Sequence, residues 1–474
     1  MRKLKKRIKR KLNSIGNNHV KLRVYIRKMF NVYWLLHYKL DTLNIHTDDK
    51  TVIFCTFEGR AYSDSPRAVF EYMANSREFE DYTFIWAFRG SKKTVSAYRK
   101  KLNAFLKNIY VDGQEDIDID QQEEIPIDQE IPIDQQEDTG HSRPKLHVVK
   151  YNGKNWRRYL AMSKYWVFNF KIPDYLSPKK DQVFLQTWHG TPLKRLGYDL
   201  EHFDSATNTL EGIQKRYAKE IQKFTYFVTT CPFSTEKFIS AWRMDYFGKT
   251  DIILEEGYPR DDILVNYKED YLLKIKESIF GYWFLPYQSL APKKKKIILY
   301  APTYRPNEYV NGKGHVQKDV VDFDRMRKVL GDDYIVLFRA HYFIANKFNF
   351  SKYRGFVYNV SKRDDINDLY LISDMMITDY SSSMFDFSIL KRPMIFYMYD
   401  LEHYRDESNG FYFDPEEELP GPIVKTEDEL FEAIKDAAEN FEYSEKYRKF
   451  NEKFNPYDDG HNCERIVNRV FKGV

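Results

Sequence analysis

From Thr51 onward the apolar residues fall into short unbroken runs, separated by stretches with helical spacing. "TVIFCTF" (51–57) and "YTFIWAF" (82–88) read as strands. A helix is expected from about Pro66 to Ala74, and another over "VSAYRKKLNAFL" (95–106). The rhythm resumes with "LHVVKYN", "YWVFNF", "VFLQTW" and "YFVTT", and again with "IILYAPTY", "YIVLFRAH", "GFVYNV", "DMMITDY" and "PMIFYM". Runs without a polar alternate belong to strands covered on both faces, and β-α alternation implies a parallel sheet. The two blocks, with a hinge expected near 280–295, predict an α/β chain of two doubly wound, Rossmann-like domains facing each other. In such sheets ligands sit beyond the carboxyl ends of the strands. No run reaches the roughly 18 apolar residues that a transmembrane helix requires.

Two stretches break the rhythm. The first forty residues hold thirteen Lys or Arg and no Asp or Glu. Leu4, Ile8, Leu12 and Ile15 recur there at helical spacing, and "MFNVYWLLHY" adds a bulky apolar cluster. A basic amphipathic helix beside Trp and Tyr reads as an interfacial anchor, drawn to anionic lipid by roughly 1 kcal/mol per basic residue. A solvated or nucleic-acid-binding basic tail is the plainer alternative. The second stretch, 112–140, is acidic, Gln-rich and repeats "IPIDQ", so it buries little and reads as a surface insertion. The expected domains are therefore 1–45 (basic, membrane-associating), 50–285 (N-terminal, acceptor side) and 290–470 (C-terminal, nucleotide-donor side).

Composition narrows the class. The chain has 474 residues, 42% of them hydrophobic and 17% aromatic, and a net charge of only +5. That suits two packed domains and argues against a general nucleic-acid binder. Cys55, Cys231 and Cys463 are few, odd in number and far apart, which fits a reducing compartment rather than a disulfide or zinc framework.

The chemically suggestive residues fall after strands. His189 follows "VFLQTW" and His341 follows "YIVLF", one from each block. Histidine is suited to proton transfer near neutral pH, although each alone would serve equally as a structural residue. Arg305 follows "LYAPTY", where a guanidinium could meet phosphate or merely decorate a loop. "ITDYSSSMFDFSIL" ends a strand at Asp379 and starts a helix after Ser381, Ser382 and Ser383. Such a start caps a helix and can also offer free backbone N–H groups to an anion. Asp386, one turn in, could bind a hydroxyl or stay solvated. No GxGxxG, Walker loop or HExxH is present, which weakens dehydrogenase, P-loop and metal-hydrolase readings.

"QTWHGTPLK", "GYPRDDIL", "LYAPTYR", "FRAH", "DINDLYLISDMMITDYSSSMFDF" and "FYMYDLEHYRDESNGFYFD" occur in this order. Together they resemble the CDP-glycerol glycerophosphotransferase family, which builds teichoic acids and related phosphopolyol polymers. The likeness spans roughly 50–460, apart from the acidic insertion. It implies the two-domain GT-B arrangement and a CDP-polyol donor held by the C-terminal domain. It further implies a lipid-linked polymer acceptor and peripheral attachment to the cytoplasmic face of the membrane. By the same resemblance His189 and His341 are catalytic, and Arg305, Asp379, Ser381, Ser382 and Asp386 contact the donor. Arg260 and Asp261 then lie on the acceptor side. The expected reaction is attack of an acceptor hydroxyl on the polyol-bearing phosphorus, with CMP leaving. No dedicated metal-ligand set is visible, and a divalent cation such as Mg²⁺ is left open. The alternatives are a CDP-ribitol donor, a GT-B enzyme that uses a nucleotide sugar, or a membrane-surface binder without catalysis.

Overall fold

The computed structural model describes residues 20–110, 143–201, 209–281, 294–303, 309–310, 314–315, 321–340, 350–407 and 410–473. The expected insertion, most of the hinge, Met1–His19, Arg305 and His341 lie outside these residues.

Two parallel sheets organise the chain. The N-terminal sheet contains β1 (Asp48–Cys55), β2 (Thr83–Phe88), β3 (Lys145–Lys150), β4 (Ser163–Phe168), β5 (Val183–Gln186), β6 (Tyr226–Thr229) and β7 (Ile253–Glu255). Their order is β3-β2-β1-β4-β5-β6-β7. The C-terminal unit contains β8 (Lys296–Ala301), a short antiparallel pair β9 (Tyr309–Val310) and β10 (Gly314–His315), then β11 (Tyr334–Phe338), β12 (Val357–Asn359), β13 (Met375–Thr378), β14 (Met394–Tyr397) and β15 (Ile423–Val424). Its six-stranded sheet runs β12-β11-β8-β13-β14-β15. In each sheet the chain winds outward one way, returns to the middle and winds out the other way. The reversal falls between β1 and β4 in the first sheet and between β8 and β13 in the second. Such reversals leave a crevice at the strands' carboxyl ends.

The apolar runs form these strands because helices cover both faces. Val52, Ile53, Phe54 and Cys55 of β1 are wholly buried. Around them Phe54, Phe70, Phe84 and Trp86 meet in stacked and edge-on contacts with ring centres 5.4–5.9 Å apart. These geometries suit the quadrupoles of aromatic rings.

The chain crosses twice between the units. After Tyr258 the helices Asp262–Asn266 and Glu269–Phe280 pack Leu264, Leu272 and Ile275 into the C-terminal core. Near the end, helix Asn462–Val467 returns Ile466 and Val467 to the N-terminal core. The crossings are tied together, since the Asp262 carboxylate accepts the backbone N–H groups of Asn462 and Cys463, both at 2.8 Å. Gly257 has φ +83°, and a Cβ there would lie 2.6 Å from the Asn462 side chain. Only glycine fits that contact.

Helix Val20–Asp41 lies on the N-terminal unit. Trp34 stacks over Tyr175, and the Arg157 guanidinium sits over Trp34 and pairs with Asp41. The opposite side carries Tyr25, Met29, Val32, Leu36 and Leu40, all exposed. Among the described residues no helix is long and apolar enough to cross a membrane.

Candidate active site

Three loops meet at the carboxyl edge where β1, β4 and β5 lie side by side. β5 ends at Gln186, and the next residues turn sharply. Trp188 takes φ +51°, a left-handed conformation that is costly for a bulky side chain. Its N–H donates to Gln186 Oε1 (3.0 Å), and Gln186 Nε2 donates to the Phe170 carbonyl (3.1 Å). The β4 and β5 ends are thus laced together, and the strained turn delivers His189 beyond the sheet. The imidazole stacks on Trp188 with centres 4.3 Å apart, and Phe57, from the β1 end, meets its edge at 5.8 Å.

His189 Nδ1 lies 2.7 Å from the Asn169 carbonyl oxygen. A carbonyl only accepts, so Nδ1 carries a proton, and in the neutral ring the lone pair is then on Nε2. The residue retains solvent access while protein crowds the ring. Burial pushes its pKa below the ordinary histidine value, and the Asp64 carboxylate and the Asn169 carbonyl work against that shift. Behind Trp188, the Lys171 ammonium sits 3.2 Å from the Tyr217 ring centre, with Trp242 at 5.6 Å and Trp188 at 6.0 Å. Burial drives Lys171 down to about 7. The arrangement presents a neutral imidazole with a free basic nitrogen.

The C-terminal unit meets this edge directly. Gly190 follows His189, and a Cβ there would lie 2.6 Å from Ser382 Oγ. The Ser381–Ser382 turn is therefore one residue from the imidazole in contact terms. Asp379, at the end of β13, accepts the N–H groups of Thr303 (2.8 Å) and Tyr380 (2.6 Å) through Oδ1. That link closes the reversal between β8 and β13. Ser381 Oγ accepts from the Ser383 hydroxyl (2.9 Å) and backbone N–H (3.3 Å), and Ser382 makes no side-chain cap bond.

Arg260 and Asp261, expected on the acceptor side, and Asp386, expected on the donor side, lie together at the junction of the units. Arg260 Nε and Nη2 reach the two oxygens of Asp386 at 3.1 and 2.9 Å, and Nη1 reaches Asp64 Oδ1 at 3.2 Å. All four residues are buried. Burial opposes the Arg260 charge, but Asp386, Asp64 and Asp261 more than offset it. Asp261, buried beside the Asp386 charge, is pushed well above the usual carboxylate range. The cluster joins the units. A second tie runs from Arg67 to Asp365 at 3.1 Å.

Asn169 and Asp64 were missed in the sequence. Asn169 closes the run "YWVFN" at a strand's carboxyl end, and Asp64 sits in "YSDSP", a helix-start pattern. Both signals were legible, but neither points to a partner. Among the described residues no group of three or more His, Cys, Asp or Glu side chains is placed to hold a metal ion.

The chain belongs to the CDP-Glycerol:Poly(glycerophosphate) glycerophosphotransferase family, which matches residues 36–111 and 131–472. The unmatched stretch falls within the acidic insertion. Over 425 residues the chain is 37% identical to a teichoic acid glycerol-phosphate transferase of Staphylococcus aureus (strain NCTC 8325 / PS 47), covering 89% of this chain and 92% of the relative. It is 34% identical over 425 residues to a teichoic acid poly(glycerol phosphate) polymerase of Bacillus subtilis (strain 168), covering 89% of this chain but only 49% of the relative. The chain thus spans about half of that longer protein. The solved structure of the wall teichoic acid polymerase TagF superposes with a TM-score of 0.72 at 31% identity, covering 95% of this chain and 97% of that one.

Proposed function

We propose that the protein transfers glycerol phosphate from CDP-glycerol to a hydroxyl at the end of a lipid-linked teichoic-acid-type acceptor, releasing CMP. The observation that carries the reading is the seating of Gly190 against Ser382. In a chain of this family, it brings a neutral imidazole from one unit to the serine turn of the other. The donor diphosphate would rest on the turn formed by Ser381 and Ser382, with the two units facing each other in the GT-B manner. The acceptor hydroxyl would attack the phosphorus that bears glycerol. A new O–P bond forms, the bond to the bridging oxygen breaks, and CMP takes the electron pair. His189 Nε2 would take the hydroxyl proton. His341 would donate a proton to the leaving phosphate, and Arg305 would add a positive charge to neutralise it. Phosphoryl-type transfer depends mainly on positioning and charge neutralisation, which this set of groups could supply.

Attachment to an anionic membrane surface forms part of this proposal. The exposed row Tyr25, Met29, Val32, Leu36 and Leu40 supports it, lying opposite the side that carries Trp34. The thirteen Lys or Arg in the first forty residues add charge attraction.

The test is a donor screen with the full-length protein and a glycerol-phosphate acceptor, with and without Mg²⁺. CDP-glycerol, CDP-ribitol and UDP-sugars are supplied in turn, and released CMP or UDP is measured. CMP release from CDP-glycerol supports the reading. Release only from CDP-ribitol moves the donor to ribitol, and UDP release alone replaces the phosphotransferase by a glycosyltransferase.

A further inference from the structure

We propose that Asn169 is the positioning residue for the imidazole of His189. The inference rests on the reading of His189 as the proton acceptor, and it adds a specific device that makes the acceptor competent.

Asn169 acts at both ends. Its carbonyl accepts the Nδ1–H of His189 at 2.7 Å, and its side-chain Oδ1 accepts the Phe57 N–H at 2.9 Å. Phe57 in turn sets its ring against the edge of the imidazole. One residue just past the end of β4 therefore holds the ring nitrogen from the β5 side and one wall of the ring from the β1 side. This is possible because β4 lies between β1 and β5 in the sheet, at the reversal of the winding.

The Phe57 turn needs such a hold. Phe57 and Glu58 take φ +46° and +57°, two successive non-glycine residues in the left-handed region. Such a conformation persists only where its surroundings over-determine it. The bond from Oδ1 supplies one constraint, and Gly59 N–H to the Thr56 carbonyl (2.8 Å) supplies another.

Stability alone does not explain the side chain. Asn169 is fully buried, and with Oδ1 committed to an N–H donor its Nδ2 is left without a hydrogen-bond partner. An orphaned buried amide is costly, and an apolar residue of similar size would avoid that cost only by taking the acceptor away from the Phe57 N–H. The residue is kept for where it puts Phe57 and His189.

The charged groups that face the imidazole are Asp64 from the start of helix Asp64–Asn75, Arg260 from the turn after β7 and Lys171 from the loop after β4. The ring is held by the backbone carbonyl of Asn169, and the neutral side-chain amide holds Phe57 without adding a negative charge beside the imidazole, as a carboxylate there would.

The experiment measures CMP release from CDP-glycerol by full-length Asn169→Ala, Asn169→Asp and His189→Ala proteins across pH. Asn169→Ala is expected to lower kcat about tenfold or more while KM for CDP-glycerol stays within about twofold, as befits a misplaced catalytic group. Asn169→Asp keeps an acceptor for the Phe57 N–H. It should recover most of kcat while moving the acid limb of kcat/KM to higher pH. Wild-type kcat and an unmoved acid limb in both variants would overturn the inference. If Asn169→Ala fails to fold, the Asn169→Asp profile decides alone: an unmoved limb counts against the inference. Full turnover by His189→Ala would instead refute the underlying reading of the base, so the two failures are distinguishable.

Discussion

Arg260 holds Asp386 with two nitrogens, at 3.1 and 2.9 Å, from the opposite side of the junction between the two sheets. Asp386 lies in helix Ser383–Ser388, directly after the Ser381–Ser382 turn, so the pair sets how that turn meets His189. Removing one partner strands a buried charge. Arg260→Met or Asp386→Leu alone should destabilise the fold by about 3–5 kcal/mol, and the double variant by less than the sum. Urea unfolding of the three proteins measures this. Arg260→Lys should rescue poorly, because an ammonium does not reproduce the two-pronged contact.

The pH dependence of turnover follows from the environment of His189. Burial holds its pKa below the ordinary histidine value, and the imidazole acts only when Nε2 is unprotonated. Turnover should rise with pH through a midpoint below about 6.5 and be flat above it on that limb. For stability the sign is the same. The unfolded chain binds the proton more readily, so this histidine's contribution is full above its unfolded pKa and declines as pH falls below that value. A kcat/KM profile with saturating acceptor measures the first, and urea unfolding at several pH values measures the second.

Gly190→Ala tests the contact between the units. A methyl group there would fall 2.6 Å from Ser382 Oγ, and the backbone φ of +156° is itself unfavourable for alanine. The serine turn must move, so KM for CDP-glycerol should rise by about tenfold, the equivalent of roughly 1.4 kcal/mol of binding. Steady-state kinetics with CDP-glycerol varied reads this directly. Thermal unfolding of the same protein shows whether the fold is kept.

The exposed row on helix Val20–Asp41 gives a separate prediction. Leu36 and Leu40 are 57% and 72% exposed, so Leu36→Glu and Leu40→Glu should leave the fold intact. Together they should lower flotation with anionic phosphatidylglycerol vesicles by about tenfold or more, because each burial lost is worth about 1.5–3 kcal/mol. Turnover on a soluble acceptor should not change.

Much of the architecture was legible in the apolar runs, because strands covered on both faces lose their polar alternation. β7 (Ile253–Glu255) and β15 (Ile423–Val424) were not legible, being two- or three-residue edge strands with no pattern to detect. The position of His189 could be read from the end of "VFLQTW". Its partners could not, because they depend on strand order. Asn169 and Phe57 stand 112 residues apart and meet only because β4 inserts beside β1. The Arg260–Asp386 pair spans 126 residues and two sheets, and each residue alone reads as an ordinary loop or helix charge. His341 and Arg305 lie outside the described residues, so their places rest on the motifs "FRAH" and "LYAPTYR".

The central claim is that the imidazole delivered by the strained "TWHG" turn takes the proton of the acceptor hydroxyl. The most direct measurement is the rate of CMP release from CDP-glycerol by folded His189→Ala protein, with saturating glycerol-phosphate acceptor at pH 8. A kcat lower by about 10²–10⁴-fold is expected, with KM for CDP-glycerol little changed. A His189→Ala protein that releases CMP at the wild-type rate would contradict it.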